Sequence, residues 1–322
     1  MLIVDAQVHL WKASTPDLPW VPGMKPQMPE PFTIERLLPL MDEAGVDRAV
    51  IVPPSWTGDR NDYALEAARR YPARFAVMGR ISLRDPKSAA LLPTWRNQPG
   101  MLGVRLTFLG KDVEMLSDGS AEWFWPAAEK AGLPVMFLAP GHGAYFARVA
   151  ERHPGLPLIV DHMGLASSVP AVREGRFDGA IADTVSLARF PNVSVKVSAA
   201  PNYSLQPYPF RDMTPHIRRV VEAYGPRRCY WGSDLTNGFD RATYRQRIAH
   251  FLQRKVDKGR ATAEEREAAL GRLSLTTDLG ALAGCDLVIE AIVEELGAKR
   301  TLFAELEAVV GADAILATNT SA

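Results

Sequence analysis

The chain has 322 residues, 47% of them hydrophobic, and its 37 basic side chains are balanced by 37 acidic ones. The length exceeds a single barrel of about 250 residues and predicts two units. The balanced charge leaves no footprint for nucleic acid or an anionic membrane surface, and no apolar run reaches the roughly 18 residues that cross a bilayer.

A small-molecule substrate is therefore the expected partner, and the oligomeric state is left open. Two cysteines, Cys229 and Cys285, show no pairing pattern. With no basic-then-apolar leader before the first apolar run, they predict a reduced, cytoplasmic protein.

The first apolar run, Leu2 to Leu10, contains Asp5-Ala6-Gln7-Val8-His9. A proline-rich loop carrying Trp20 follows from Trp11 to Phe32 and is expected to cover a pocket mouth or to pack as a rigid loop. Further short apolar runs, bounded by Pro, Gly or charge, are Arg48 to Pro54, Phe75 to Ser82, Met101 to Phe108, Pro134 to Ala139, Leu158 to His162, Val193 to Ala199 and Cys229 to Asp234. Between them, Thr33 to Ala44, Asp62 to Tyr71, Ala121 to Ala131 and Pro215 to Tyr224 carry apolar residues at three- and four-residue spacing and read as helices. Runs such as Ala49-Val50-Ile51-Val52 lack period-two alternation, which fits strands covered on both faces and hence a parallel sheet. Eight strands alternating with helices predict an α/β chain with a closed (β/α)8 TIM-like barrel.

In such a barrel all strands open their C-terminal ends onto one face, so polar residues there are site candidates. They are Gln7 and His9, Ser55 and Trp56, Arg105, His162, Lys196 and Ser198, and Asp234. A single histidine at a strand end is most often a hydrogen-bonded structural group; His9, His162 and Asp234 together on strands one, six and eight point to a metal or proton-transfer centre. His142 and His153 beside a helix, and His216 and His250 on helices, read as surface residues.

Three of these segments resemble the amidohydrolase-related family, often called amidohydrolase 2. Its D-x-H-x-H, D-H-x-G and G-S-D-x-P strands are matched by Asp5-Ala6-Gln7-Val8-His9, Asp161-His162-Met163-Gly164 and Gly232-Ser233-Asp234-Leu235. Leu102-Gly103-Val104-Arg105 and Val195-Lys196-Val197-Ser198 extend the resemblance over about residues 2–251. It implies a TIM-like barrel that hydrolyses lactones, esters or amides, with some decarboxylase members, usually with one divalent metal such as Zn or Mn. On that pattern His9, His162 and Asp234 would hold the metal.

Two departures change the expectation. Gln7 stands where the first histidine of the pair belongs, and strand five offers Met136-Phe137-Leu138-Ala139 where metal-dependent relatives supply a histidine. An amide oxygen is a poor ligand for Zn²⁺, so the metal is expected to be weakly held, with Gln7 as a fourth contact, or absent. A lactone is activated enough to need only a deprotonated water and a donor on its carbonyl oxygen. Hydrolysis of a lactone or related ester is then expected, with Asp234 as general base, His162 and Arg105 as its catalytic partners, and Gln7, Lys196 and Trp56 binding substrate. The alternatives are a metal-dependent decarboxylase on the same barrel or an inactive fusion product.

The composition changes in the last quarter. All 25 prolines lie at or before Pro226 and all seven tryptophans at or before Trp231. A junction near Leu252 is the simplest account, giving a barrel over residues 1–252 and a separate piece over 253–322. In that piece Thr262 and Glu265 form a capping box for a helix to Leu273, Leu287 to Val293 and Ala314 to Thr318 read as buried strands, and Lys299 to Val310 reads as an amphipathic helix. The series, ending in Asn319-Thr320-Ser321, resembles an internal part of the 3-hydroxyacyl-CoA dehydrogenase NAD-binding domain, an incomplete Rossmann-type fragment. The chain has no G-x-G-x-x-G and stops before the family's catalytic histidine and glutamate, so NAD binding is not expected and the fragment reads as non-functional. The helix Arg241 to Leu252 is expected to survive after strand eight, with Thr262 to Leu273 as a substitute for the closing helix of the barrel.

Overall fold

The computed structural model describes residues 3–244, 246–247, 278–285, 287–290 and 296–318. The chain divides into two compact units, residues 2–266 and residues 267–322 together with Met1, each considered by itself.

Each of the eight apolar runs forms one strand of the first unit: β1 Val4–Val8, β2 Arg48–Ile51, β3 Phe75–Gly79, β4 Met101–Thr107, β5 Val135–Leu138, β6 Leu158–Val160, β7 Val193–Ser198 and β8 Cys229–Gly232. They pair in parallel, each with its neighbour in sequence, from β1 to β8. β8 meets β1 through the Asp234 N–H, which donates to the Gln7 carbonyl at 3.0 Å, and through the Ser233 N–H on the Asp5 carboxylate at 2.8 Å. Gly232 permits this approach, since a Cβ there would stand 3.1 Å from both the backbone nitrogen and the Cβ of Gln7. The fold is the expected TIM-like barrel.

Helices α1 Ile34–Ala44, α2 Asp62–Arg70, α3 Phe124–Lys130, α4 Gly143–Arg152, α5 Pro170–Arg173, α6 Asp178–Ser186, α7 Ala200–Tyr203 and α8 Thr214–Tyr224 lie between the strands. Two apolar layers follow from the parallel sheet. The large one packs the outer strand faces on the helices and includes Val77, Val104, Val135 and Val195. The small one, Val52, Met78 and Met136 with Val50 and Ile159, lies apart from it. These five residues alternate by two with the large layer along β2, β3, β5 and β6, as inward-facing barrel positions must.

In the second unit β9 Leu287–Glu290 and β10 Ile315–Thr318 pair in parallel, with helix α9 Leu296–Glu307 between them in sequence. This is the strand-helix-strand pattern expected there. Of the expected helix Arg241 to Leu252, Tyr244, Gln246 and Arg247 are helical, while Arg241 lies in a turn and Ala242 and Thr243 are not helical. Its remaining residues, His250 among them, and the capping box of Thr262 lie outside the described residues. Among the described residues no helix is long and apolar enough to cross a membrane.

Candidate active site

The β1 sequence alternates, so Asp5, Gln7 and His9 share one face and rise toward the barrel mouth. His9 Nδ1 lies 2.7 Å from the Val52 carbonyl, and its Nε2 faces Asp234 Oδ1 at 3.2 Å and the Gln7 amide nitrogen at 3.2 Å. His162, at the tip of β6, places Nε2 4.0 Å from Asp234 Oδ2 and Nδ1 2.8 Å from Ser198 Oγ. Asp234 thus lies between two imidazoles, and three distant segments do meet.

The backbone is held under strain where they meet. His162 has φ 51°, Met163 57°, Ala199 60° and Asp234 49°, all left-handed and all just past the ends of β6, β7 and β8. Each costs an L-residue roughly 1–2 kcal/mol, so the surroundings must enforce the conformation. For His162 and Met163 the enforcement is local. Thr184 Oγ donates to the Met163 carbonyl at 2.9 Å, and Gly164, at φ 75°, leaves room for that hydroxyl, which a Cβ would meet at 2.3 Å. For Asp234 it comes from the Gln7 carbonyl below and from Arg247, which donates to the Ser233 carbonyl at 3.1 Å.

A cavity of about 240 Å³ opens on this group, lined among others by His9, Trp56, Arg105, His162, Tyr203, Asp234 and Asn237. Gln27 also lines it, so the long loop after β1 does reach the mouth, tied there by Thr236 Oγ donating to Gln27 Oε1 at 2.6 Å. Trp56 packs edge-on against Trp11 at 5.0 Å, and its buried indole nitrogen has no hydrogen-bond partner among the described residues. Arg105 donates from Nε to Asp161 Oδ2 at 2.8 Å and from Nη1 to Thr107 Oγ.

Two expected substrate contacts are placed differently. Gln7 and Lys196 are fully buried and do not line the cavity; Lys196 Nζ bonds Gln7 Oε1 and lies 2.7 Å from Asp161 Oδ1. They form the floor beneath the site. The reason is depth: the inward positions of β1 and β7 share a face with the site residues but lie further down the barrel. Tyr203 and Asn237 carried no signal in the sequence beyond their closeness to strand ends. Tyr203 donates to the Leu165 carbonyl at 2.9 Å, and Asn237 Nδ2 donates to Asp234 Oδ2 at 3.0 Å.

Electrostatics separates the buried groups. Burial pushes the His162 imidazole down to about 4, ahead of the opposing pull of Asp234 and Asp161, so it is uncharged at neutral pH. For Asp234, burial would raise the carboxyl, but its neighbours, His162 first and the Asn237 hydrogen bond among them, outweigh it and hold the group below the usual carboxylate range. Asp161 is held down to about 2 against its own burial by Lys196 and Arg105. Asp234 is therefore an ionised carboxylate, with Oδ1 3.2 Å from His9 Nε2 and Oδ2 accepting from Asn237.

The expected metal ligands His9, His162 and Asp234 converge, while among the described residues no group of three or more His, Cys, Asp or Glu side chains is spaced as a metal site. Gln7 does not serve as a fourth contact, because its amide oxygen is engaged by Lys196 and its nitrogen faces His9.

Residues 4–272 match the sequence profile of the family described as Amidohydrolase. The chain belongs to the amidohydrolase family. It is a hydrolase by that membership and by its relatives. It is 26% identical to L-fucono-1,5-lactonase of Burkholderia ambifaria, over 72% of this chain and 79% of that enzyme. It is 27% identical to 4-sulfomuconolactone hydrolase of Hydrogenophaga intermedia, over 71% and 73%. Among solved structures, an amidohydrolase from Burkholderia multivorans with bound zinc superposes at TM-score 0.64 with 22% identity, covering 83% of this chain and 95% of that one, a likeness of fold. Residues 237–322 match the 3-hydroxyacyl-CoA dehydrogenase NAD-binding domain. There the chain is 51% identical over 78 residues to 3-hydroxybutyryl-CoA dehydrogenase of Mycobacterium tuberculosis, 24% of this chain but only 27% of that enzyme.

Proposed function

We propose that the barrel hydrolyses a lactone or a related cyclic ester, with Asp234 as general base. The observation that carries this reading is the buried Asp234 carboxylate, set between the His9 and His162 imidazoles in a cavity that Arg105 also lines. The two relatives named above are lactone hydrolases, which directs the reading toward lactones rather than amides. A water between Asp234 and the bound carbonyl gives its proton to Oδ1 as its oxygen bonds to carbon. The Arg105 guanidinium, at the cavity wall, takes up the negative charge that develops on the carbonyl oxygen. Collapse breaks the ring C–O bond, and the proton on Asp234 passes to the leaving alkoxide, giving an open hydroxy acid.

A resident divalent ion does not fit the residues present. A cation at His9 Nε2 would meet the amide hydrogens of Gln7, and its nearest oxygen donor on β1 is already bonded to an ammonium. The test is a panel of sugar and carboxylated lactones assayed on protein stripped by a chelator and on protein given Zn²⁺ or Mn²⁺. Turnover of at least one lactone, equal in both preparations, is expected. No hydrolysis of any member under either condition overturns the reading. For the second unit we propose no dehydrogenase activity, since the chain contains no G-x-G-x-x-G turn to cradle a pyrophosphate.

A further inference from the structure

The two places where the chain departs from the ligand pattern of metal-dependent relatives touch one and the same group. Lys196 Nζ, from β7, donates to Gln7 Oε1 on β1 and lies 3.3 Å from Met136 Sδ on β5, 3.3 Å from the Ala6 carbonyl and 2.7 Å from Asp161 Oδ1 at the end of β6. Acceptors from three strands thus converge on a fully buried ammonium. We infer that Lys196 is the resident cation of this site and that, through Gln7, it fixes which nitrogen of His9 carries the proton.

The tautomer follows from what each group can donate. An ammonium has hydrogens and no lone pair, so the Gln7 atom against Lys196 must be the amide oxygen. The NH2 of Gln7 is then the group 3.2 Å from His9 Nε2, which must accept. On the other side of the ring, His9 Nδ1 faces the Val52 carbonyl at 2.7 Å, an acceptor only, so Nδ1 carries the hydrogen. The Gln7 amide and the Val52 carbonyl demand the same tautomer, against the pull of the Asp234 Oδ1 acceptor 3.2 Å from Nε2. An Nε2 that accepts from Gln7 has no proton to give to Asp234 Oδ1 at 3.2 Å, which leaves that oxygen open to a water. Lys196 therefore acts as a positioning residue. It turns Gln7, Gln7 sets His9, and His9 leaves the carboxylate oxygen unshared for a water.

On this account Gln7 and Met136 are not remnants of a damaged metal centre. They are neutral partners suited to an ammonium, which bonds an amide oxygen and tolerates a thioether, while Asp161 balances its charge. Only the consequence for turnover rests on the lactonase reading; the tautomer and the cation are properties of the resting protein.

The test uses the full chain labelled with ¹⁵N histidine, with long-range proton–nitrogen correlation to read the His9 ring, alongside zinc analysis after desalting. His9 is expected to show a protonated Nδ1 and an unprotonated Nε2, unchanged by added Zn²⁺. Gln7→Glu presents an oxygen where the NH2 stood and is expected to move the Nε2 signal into the protonated range. Gln7→His, which restores the imidazole of the family pattern but keeps Lys196, is expected to retain no stoichiometric zinc. A protonated Nε2 in the unaltered chain, or one equivalent of zinc held by Gln7→His, would overturn the inference. Both readings stand whether or not any lactone is hydrolysed, so a failure of this inference and a failure of the hydrolase reading are told apart.

Discussion

The barrel and the second unit start from the same elements, parallel strands joined through helices, and differ in what those elements can bury. In the barrel each strand has neighbours and helices, and the polar groups at its mouth are held at 2.7–3.3 Å by partners from five strands and the loops beyond them. In the second unit a two-stranded sheet and α9 bury only Lys299 and Leu306 among the described side chains, while Leu296 and Ile315 are 66% and 63% exposed. Two parallel strands cannot cover both of their faces. Shared local structure is therefore no guide to function; the difference is whether enough structure surrounds a strand end to hold charged groups out of water.

Four measurements sharpen that contrast. The largest effect is expected at Asp161, which balances Lys196 and Arg105 in the barrel interior. Asp161→Asn leaves two buried cations without their anion and should cost about 3–5 kcal/mol of barrel stability, read as a fall in the denaturant midpoint. The same group predicts a pH dependence. Its folded carboxyl is held to about 2, below the ordinary 3.8, so its contribution is complete above about pH 4 and is lost as pH falls toward 2. The loss of stability across that window should be shallower in Asp161→Asn, and an unchanged slope would mean that the ion pair is not formed.

Next comes Arg105. Arg105→Met is expected to lower kcat by about 10²-fold, the usual cost of losing one donor to a developing oxyanion. A rise in KM with kcat intact would assign Arg105 to substrate binding alone. The smallest expected effect belongs to the second unit. Titration of the full chain with NAD should release no heat, and saturable binding would show that the unit has a cofactor cradle of its own.

Much of this was legible in the residues. The eight strands could be read because each is a short apolar run closed by Pro, Gly or charge, and His9, His162 and Asp234 because they stand at the C-terminal tips of three of them. What could not be read was depth and backbone sign. Gln7 and His9 point the same way two residues apart, yet one bonds a buried lysine and the other lines the cavity. Nor does anything in the sequence mark His162 and Asp234 as left-handed, since neither is glycine; the cause lies in Thr184, Gln7 and Arg247, brought from other segments. Asn237 was within reach, three residues past Asp234, where a turn can bring its amide back onto the carboxylate. The two family matches overlap over residues 237–272 and the compact units divide after residue 266, whereas composition alone places the junction near Leu252.

The central claim is that Asp234 removes the proton from water. It is tested most directly by Asp234→Asn, assayed on whichever lactone the unaltered chain turns over, with the fold checked by circular dichroism. The account predicts a loss of about 10³-fold in kcat with KM little changed. A variant that keeps its fold and hydrolyses the lactone at the original rate would contradict it.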